Sequence, residues 1–231
     1  MNELPSIVCV IQARMGSVRL PGKVLLDLAG APLLQRLIER VSRSRFLDNI
    51  VVATSDYPEN DAIEALCSEI GCMVWRGSET DVLARMIDAA GEAAILVRLT
   101  ADNPFVDGLL VDYVVEAFLR SWPVTRYAAN IEASGFPYGL FVEVVDMEAL
   151  LSAAMSKDQM DREHVTWYVR QRPQQFPSVT VKAPIAMSNQ SLTIDTQDDY
   201  QRLKPLFENL FSQNPDFTYT DIAYYHQQTQ I

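Results

Sequence analysis

The sequence predicts a three-layer α/β fold, with a mostly parallel central sheet covered by helices on both faces and a less regular second half. Three observations lead there. Short β-branched apolar runs alternate with amphipathic helical patterns from Ile7 to Leu99, the order that builds parallel strands with crossover helices. The runs are continuously apolar, as in strands buried on both faces. The chain has 231 residues, 48% of them hydrophobic, enough for one large domain over 1–231 with a sizeable core.

Taken in order, Ser6–Gln12 reads as a buried strand that breaks into a loop at Ala13. Pro32 opens a helix with Leu33, Leu34, Leu37, Ile38 and Val41 on one face. Asn49–Thr54 is a second strand. Asn60 or Asp61 caps a helix that runs to Ile70 and stops at Gly71. Met73–Trp75 is a short third strand, followed by a helix carrying Val82, Leu83, Met86 and Ile87. Ala94–Leu99 is the fourth strand and ends in Thr100-Ala-Asp-Asn-Pro104. Ligands of such sheets bind beyond the carboxyl ends of the strands, so the loops at 13–23, 54–58, 75–81 and 100–107 are expected on one rim. Beyond these, Asp107–Arg120 reads as a helix broken at Trp122-Pro123. Tyr127–Ile131 and Leu140–Val145 read as strands around a Phe136-Pro-Tyr-Gly139 turn. Helices over Met147–Met155 and Arg162–Gln171, and strands over Ser178–Lys182 and Leu192–Ile194, come next. Thr196 starts a helix with Asp199 placed for a capping box, and a last short helix follows Asn214.

Composition excludes several classes. A net charge of −11 argues against nucleic acid and anionic membranes as partners, since basic surface dominates those affinities. No apolar run reaches bilayer length, and Met-Asn-Glu-Leu-Pro lacks the basic start of a signal peptide, so a cytoplasmic protein is expected. Cys9, Cys67 and Cys72 form no C-x-x-C pair, and His164 and His226 are the only histidines. Inert thiols are therefore expected, with neither a zinc site nor a disulfide.

Against that acidic background, the stretch from Val10 to Lys23 stands out. It carries Arg14, Arg19 and Lys23, with no acidic residue before Asp27, and Gly16, Ser17 and Gly22 leave its backbone open to a close ligand. A cationic loop after a first strand can hold phosphates on backbone amides and side-chain charge; the plainer reading is a solvated loop with Lys23 facing water. It is not a Walker loop: Gly16 to Gly22 is one residue too long, and Val24 stands where a hydroxyl is required. No G-x-G-x-x-G is present either.

Ala13-Arg-Met-Gly-Ser17 followed by Leu20-Pro-Gly-Lys23 resembles the signature of cytidylyltransferases that make CMP-activated acidic sugars, in particular the branch named after a spore-coat polysaccharide biosynthesis protein. The resemblance is strong over the first hundred or so residues and thin after Arg170. It implies a Rossmann-like nucleotide-diphospho-sugar transferase fold, CTP and an acidic (2-keto-3-deoxy type) sugar as substrates, Mg2+ as cofactor, and a homodimer formed through the 120–175 region on the acceptor side. On the residues that match, it implies that Ala13, Arg14, Gly16, Ser17, Arg19 and Lys23 bind the triphosphate, with the amides near Gly16 and Ser17 contributing. Arg76 and Ser78, from Arg-Gly-Ser-Glu-Thr-Asp81, are implied base or ribose contacts; Ser78 or Thr80 also suits a helix N-cap. Asp102 and Asp195, the latter in Ile194-Asp-Thr-Gln-Asp-Asp199, are implied magnesium ligands, as magnesium favours one or two carboxylates plus phosphate oxygens. An Asx turn before Pro104 and a helix-flanking carboxylate are their structural alternatives. Arg14, Lys23 and Asp102 are the implied catalytic groups. Tyr138, Phe141, Glu143, Glu163 and His164 are implied acceptor contacts, although acidic residues often stand at the positions of Tyr138 and Phe141 in that branch. Two other functions fit the loop: a nucleotidyltransferase of this fold with another nucleotide or a phosphorylated acceptor, and a non-catalytic nucleotide- or sugar-binding protein. The pair Asp102 and Asp195 argues against the second.

Overall fold

Strand β1 (Ile7–Gln12) is hydrogen-bonded on both sides. Its Ile7, Cys9 and Ile11 enter one hydrophobic core, and Val8 and Val10 enter another on the opposite face, which is why it is apolar throughout. The computed structural model describes residues 4–131, 134–187 and 190–229. Positions 132 and 133, within the 120–175 stretch expected to carry the acceptor side and a dimer contact, lie outside the described residues.

After β1 come a small hairpin, β2 (Asp27–Leu28) and β3 (Ala31–Pro32), and helix α1 (Leu33–Val41). The sequence reading did not foresee the hairpin. Its turn residues Ala29 and Gly30 both have positive φ, 54° and 81°, as a two-residue type I′ turn requires. Strand β4 (Asn49–Ser55), helix α2 (Asp61–Ile70), strand β5 (Met73–Gly77), helix α3 (Val82–Ala90) and strand β6 (Ile95–Thr100) complete the regular half. Gly71 at φ 70° closes α2 as expected. Helix α4 (Gly108–Leu119), β7 (Tyr127–Ala129), β8 (Glu143–Asp146), α5 (Met147–Ala154), α6 (Gln159–Glu163), α7 (Trp167–Arg170), β9 (Ser178–Thr180), α8 (Gln197–Gln213) and α9 (Tyr219–Thr229) follow.

The seven-stranded sheet has the order β5-β4-β1-β6-β8-β7-β9. The first four strands are parallel; β8 runs antiparallel to β6 and β7, and β9 is parallel to β7. The chain builds outward from β1 through β4 to β5, then returns to lay β6 on the other side of β1. The strand order therefore reverses between β1 and β6, and the crevice beyond their carboxyl ends is the topological switch point where such sheets bind ligands. No helix among the described residues is long and apolar enough to cross a membrane.

The second half departs from the periodicity at three places. The strands expected over Tyr127–Ile131 and Leu140–Val145 are shorter, because the Asn130 side chain replaces the ladder, accepting from Val142 N at 2.7 Å and donating to Leu140 O at 2.7 Å. The helix expected over Arg162–Gln171 breaks at His164, whose ψ of 46° leaves the helical region, so that Val165 and Thr166 turn into the core. Leu192–Ile194 forms no strand. A single bridge joins Tyr138 to Ser191, and the rest is an extended segment pinned by Leu192 N to Tyr138 O at 2.7 Å and Ile194 N to Asp102 O at 2.9 Å. The predicted capping box does form: Asp199 accepts from Thr196 N, and Thr196 Oγ1 accepts from Asp199 N.

Gly139 permits the contact between the 138–140 and 191–195 segments. Its φ is 96°, and a Cβ there would lie 2.3 Å from Thr193 N. Gly139→Ala is expected to destabilise the protein by about 2 kcal/mol or more, from backbone strain and the displaced segment together. Urea unfolding followed by circular dichroism checks this.

Candidate active site

Beyond Gln12, Ala13 N still bonds Ala53 O at 3.1 Å, and then the chain leaves the sheet. Met15 O accepts from Ser17 N and Gly22 N at 2.8 and 2.9 Å, closing the loop on itself, and Gly22 takes φ 72° to re-enter a short helical turn at Lys23. The Ser17 amide is thus used inside the loop and not offered to a ligand, contrary to expectation, although the residue does line the crevice. From below, the fully buried Asn60 accepts from Met15 N at 2.8 Å and donates to Ser55 Oγ at 2.7 Å. Asn60 therefore makes no side-chain cap for α2, because its amide is spent on the loop. Gly16 abuts the Glu59 carboxylate: a Cβ would sit 2.6 Å from Oε1.

The helical turn that starts at Lys23 sends its side chain under the loop. Lys23 is 8% exposed, so the expected solvent-facing lysine is in fact enclosed. Its Nζ lies 2.8 Å from Asp102 Oδ2 and 2.7 Å from Asp195 Oδ1, and Arg19 Nη2 lies 2.9 Å from Asp195 Oδ2. Asp102 Oδ1 accepts from Thr100 Oγ1 at 2.7 Å, and that hydroxyl accepts from Asn103 Nδ2 at 2.8 Å. Asp102 sits just past β6 and Asp195 on the extended segment tied to the Asp102 carbonyl. Two carboxylates 93 positions apart in sequence thus reach one cation. Among the described residues, no cluster of three or more His, Cys, Asp or Glu side chains forms a complete metal cage. The pair nonetheless suits magnesium, which takes one or two carboxylates and completes its shell with phosphate oxygens and water, and an ammonium already stands within bonding distance of both.

Two cavities meet at Asp102. The first, about 370 Å³, is lined by Ala13, Arg14, Ser17, Arg19, Lys23, Arg98, Thr100, Asp102 and Asp195 among others. The second, about 460 Å³, shares Arg98, Thr100 and Asp102 and adds Asn103, Tyr138, Phe141, Glu143 and Arg170. Tyr138 and Phe141 form its aromatic wall, edge to face at 5.2 Å. Burial raises the Tyr138 phenol, helped by the charges of Asp195 and Asp102. Glu143 is directly opposite Arg98 across the β6/β8 ladder and forms an ion pair with it; it also accepts from Tyr127 OH and Thr166 Oγ1 at 2.6 Å each. Burial pushes the Glu143 carboxyl up, but Arg98 and the two hydroxyl donors outweigh it and hold the group below its usual range. The Tyr127 phenol is driven well above its usual value by burial and by that carboxylate.

Other residues named from the sequence lie elsewhere. Arg76 bonds Ser55 O and Tyr57 O and pairs with Asp61 and Glu64; on edge strand β5 it lines neither cavity, its guanidinium drawn outward by those carboxylates. Ser78 accepts from Asp81 N at 3.0 Å, while Asp81 itself caps α3 through Ala84 N, so neither Ser78 nor Thr80 is the cap. Buried Arg85 donates to the carbonyls of Ser78 and Glu79, and Arg162 pairs with Asp81. This loop faces Arg14, which pairs with Glu79 at 3.0 Å. Glu163 and His164 are exposed at the end of α6 and line neither cavity; their neighbour Thr166 reaches Glu143 instead. Sequence reasoning missed Asn60, Glu79, Arg98 and Arg170. Of these, only Arg98 carried a signal, as a charge inside an otherwise apolar strand.

A reversed-order parallel sheet with a cationic loop and two carboxylates at its switch point is the arrangement of a nucleotidyltransferase. The family model described as cytidylyltransferase matches residues 8–230, and the chain belongs to that family: it is a cytidylyltransferase enzyme. It is 38% identical over 232 residues to the spore coat polysaccharide biosynthesis protein SpsF of Bacillus subtilis, covering 96% of this chain and 93% of that one. A cytidylyltransferase structure from Leptospira borgpetersenii superposes with a TM-score of 0.90 at 30% identity, covering 98% of this chain and 96% of the other. A 3-deoxy-manno-octulosonate cytidylyltransferase of Trichlorobacter lovleyi is 36% identical over 114 residues, 49% of this chain and 45% of that protein.

Two outcomes follow for residues that position the site. Asn60→Ala leaves Met15 N and the Ser55 hydroxyl without their partner, so stability should fall by about 1–3 kcal/mol and nucleotide KM should rise; thermal melts and initial-rate kinetics measure this. For Glu143, a folded pKa below the unfolded one makes its contribution complete above the ordinary glutamate value and lost as pH falls through the folded one. Wild type should exceed Glu143→Gln in stability at neutral pH, and the gap should shrink in acid below that ordinary value, as followed by denaturant unfolding across pH.

Proposed function

We propose that this cytidylyltransferase transfers CMP from CTP, with Mg2+, to an acidic sugar of the 2-keto-3-deoxy type, releasing pyrophosphate and supplying a CMP-sugar for surface polysaccharide biosynthesis. The observation that carries the reading is the meeting of two cavities at Asp102, one cationic and sized for a triphosphate, the other lined by guanidinium groups and aromatic rings.

The sugar hydroxyl attacks the α-phosphorus in line; a P–O bond forms to the sugar, the bond to the bridging oxygen breaks, and the hydroxyl proton leaves to solvent. Such a transfer asks for positioning and charge stabilisation and needs no covalent intermediate on the protein. Arg14, Arg19 and Lys23 hold the triphosphate, with Ala13, Gly16 and Ser17 shaping the loop around it. Asp102 and Asp195 hold the magnesium ion, which when bound neutralises phosphate charge. Arg98 and Arg170 in the second cavity favour an acceptor with an anionic group, with Tyr138 and Phe141 against its ring. Acceptors of that kind are named for the relative from Trichlorobacter lovleyi. A sugar phosphate would satisfy the same guanidinium groups, and the experiment separates the two.

Pyrophosphate release, measured for the four nucleoside triphosphates crossed with 2-keto-3-deoxy sugar acids and sugar 1-phosphates, tests the proposal. Turnover is expected with CTP and a sugar acid. Turnover only with a sugar phosphate, or with another nucleotide in preference to CTP, overturns it.

A further inference from the structure

We propose that Lys23 is the resident counter-cation of Asp102 and Asp195 and gates the divalent cation, so that metal enters this site together with nucleoside triphosphate and not before it. The inference rests on the reading that Asp102 and Asp195 are the metal ligands. All four carboxylate oxygens are engaged by the protein itself. Asp102 gives Oδ2 to Lys23 and Oδ1 to the Thr100 hydroxyl; Asp195 gives Oδ1 to Lys23 and Oδ2 to Arg19. A divalent cation meets a positive group on each oxygen of Asp195, and at Asp102 it meets Lys23 on one oxygen and the Thr100 hydroxyl on the other, so a cation shared by the two carboxylates must displace Lys23 and is repelled by it on approach.

Lys23 does not move aside freely. Its side chain is enclosed, and it is hydrogen-bonded to both carboxylates, so leaving them without a new anionic partner exposes two like charges to each other. A triphosphate supplies that partner. Lys23 and Arg19 line the cavity together with Arg14 and Ser17, so phosphate oxygens placed there compete with the carboxylates for both cations. As Lys23 and Arg19 turn to the phosphates, the carboxylate oxygens open to the metal. Binding of either ligand then favours the other by the same factor.

The test is direct binding of Mn2+, followed by the electron paramagnetic resonance of the free ion, with no nucleotide present, to wild type, Lys23→Met, Asp102→Asn and Lys23→Met/Asp102→Asn. Lys23→Met is expected to bind Mn2+ on the order of tenfold or more tightly than wild type, within the usual range of coupling between sites, and Asp102→Asn to abolish that gain. Lys23→Gln, which keeps a hydrogen-bond donor between the carboxylates, replaces Lys23→Met should the latter not fold by circular dichroism. Wild type that binds Mn2+ as tightly as Lys23→Met, with both affinities lost on Asp102→Asn, overturns the gate and leaves the metal site standing. Mn2+ binding indifferent to Asp102→Asn in every variant overturns the metal-site reading and the gate with it.

Discussion

Asp102 and Asp195 carry like charges and stand within bonding distance of a single ammonium. Left alone, such a pair would repel; on Lys23 each carboxylate finds a cation. Much of the surrounding architecture serves this arrangement. The switch in strand order between β1 and β6 brings the Lys23 loop and Asp102 to the same end of the sheet. The Asp102 carbonyl accepts from Ile194 N, so the segment that presents Asp195 hangs from its own partner. Gly139 then lets that segment pass close to the turn that carries Tyr138. Asn60 fixes the loop from beneath. Each device is a backbone or amide contact, which sets position without adding charge to an already charged site.

The second cavity is organised by another charged pair. Arg98 and Glu143 are cross-strand neighbours on an antiparallel ladder, and the hydroxyls of Tyr127 and Thr166 complete the carboxylate's shell. The carboxylate's lone pairs are thereby satisfied, as an ion pair withdrawn from water requires, while Arg98 Nε is buried without a partner among the described residues; the pair holds a guanidinium between the two cavities. Arg98 also donates to Gln12 at 3.1 Å, tying the end of β1 to the wall of the second cavity.

How much of this the sequence disclosed depends on the range over which each feature is determined. Strands β1, β4 and β6 are apolar because both faces are covered, a local property that reads directly from composition. The cationic loop and the two aspartates were legible because a strand end followed by a charged residue marks a rim. What did not read through was decided by distant partners. Lys23 looked like a solvated lysine because nothing local says that Asp102 and Asp195 will enclose it. Asn60 looked like a helix cap because its true partners, Met15 N and Ser55 Oγ, lie 45 and 5 positions away. The ion pairs of Arg76 with Asp61 and Glu64 on the neighbouring helix were likewise not legible from its own segment. Leu192–Ile194 has a strand's composition but bonds to two turns instead of a ladder.

Whether Asp102 and Asp195 act as one unit is measured most directly by a double-mutant cycle. Asparagine keeps the shape of each side chain while removing the charge and one of its two acceptor oxygens. Groups that act together are strongly non-additive. In steady-state kinetics with CTP and magnesium, Asp102→Asn and Asp195→Asn should each abolish most turnover, and the double variant should be little worse than the worse single one. Losses that multiply, or an Asp195→Asn enzyme that keeps normal turnover while losing stability, would contradict a shared site.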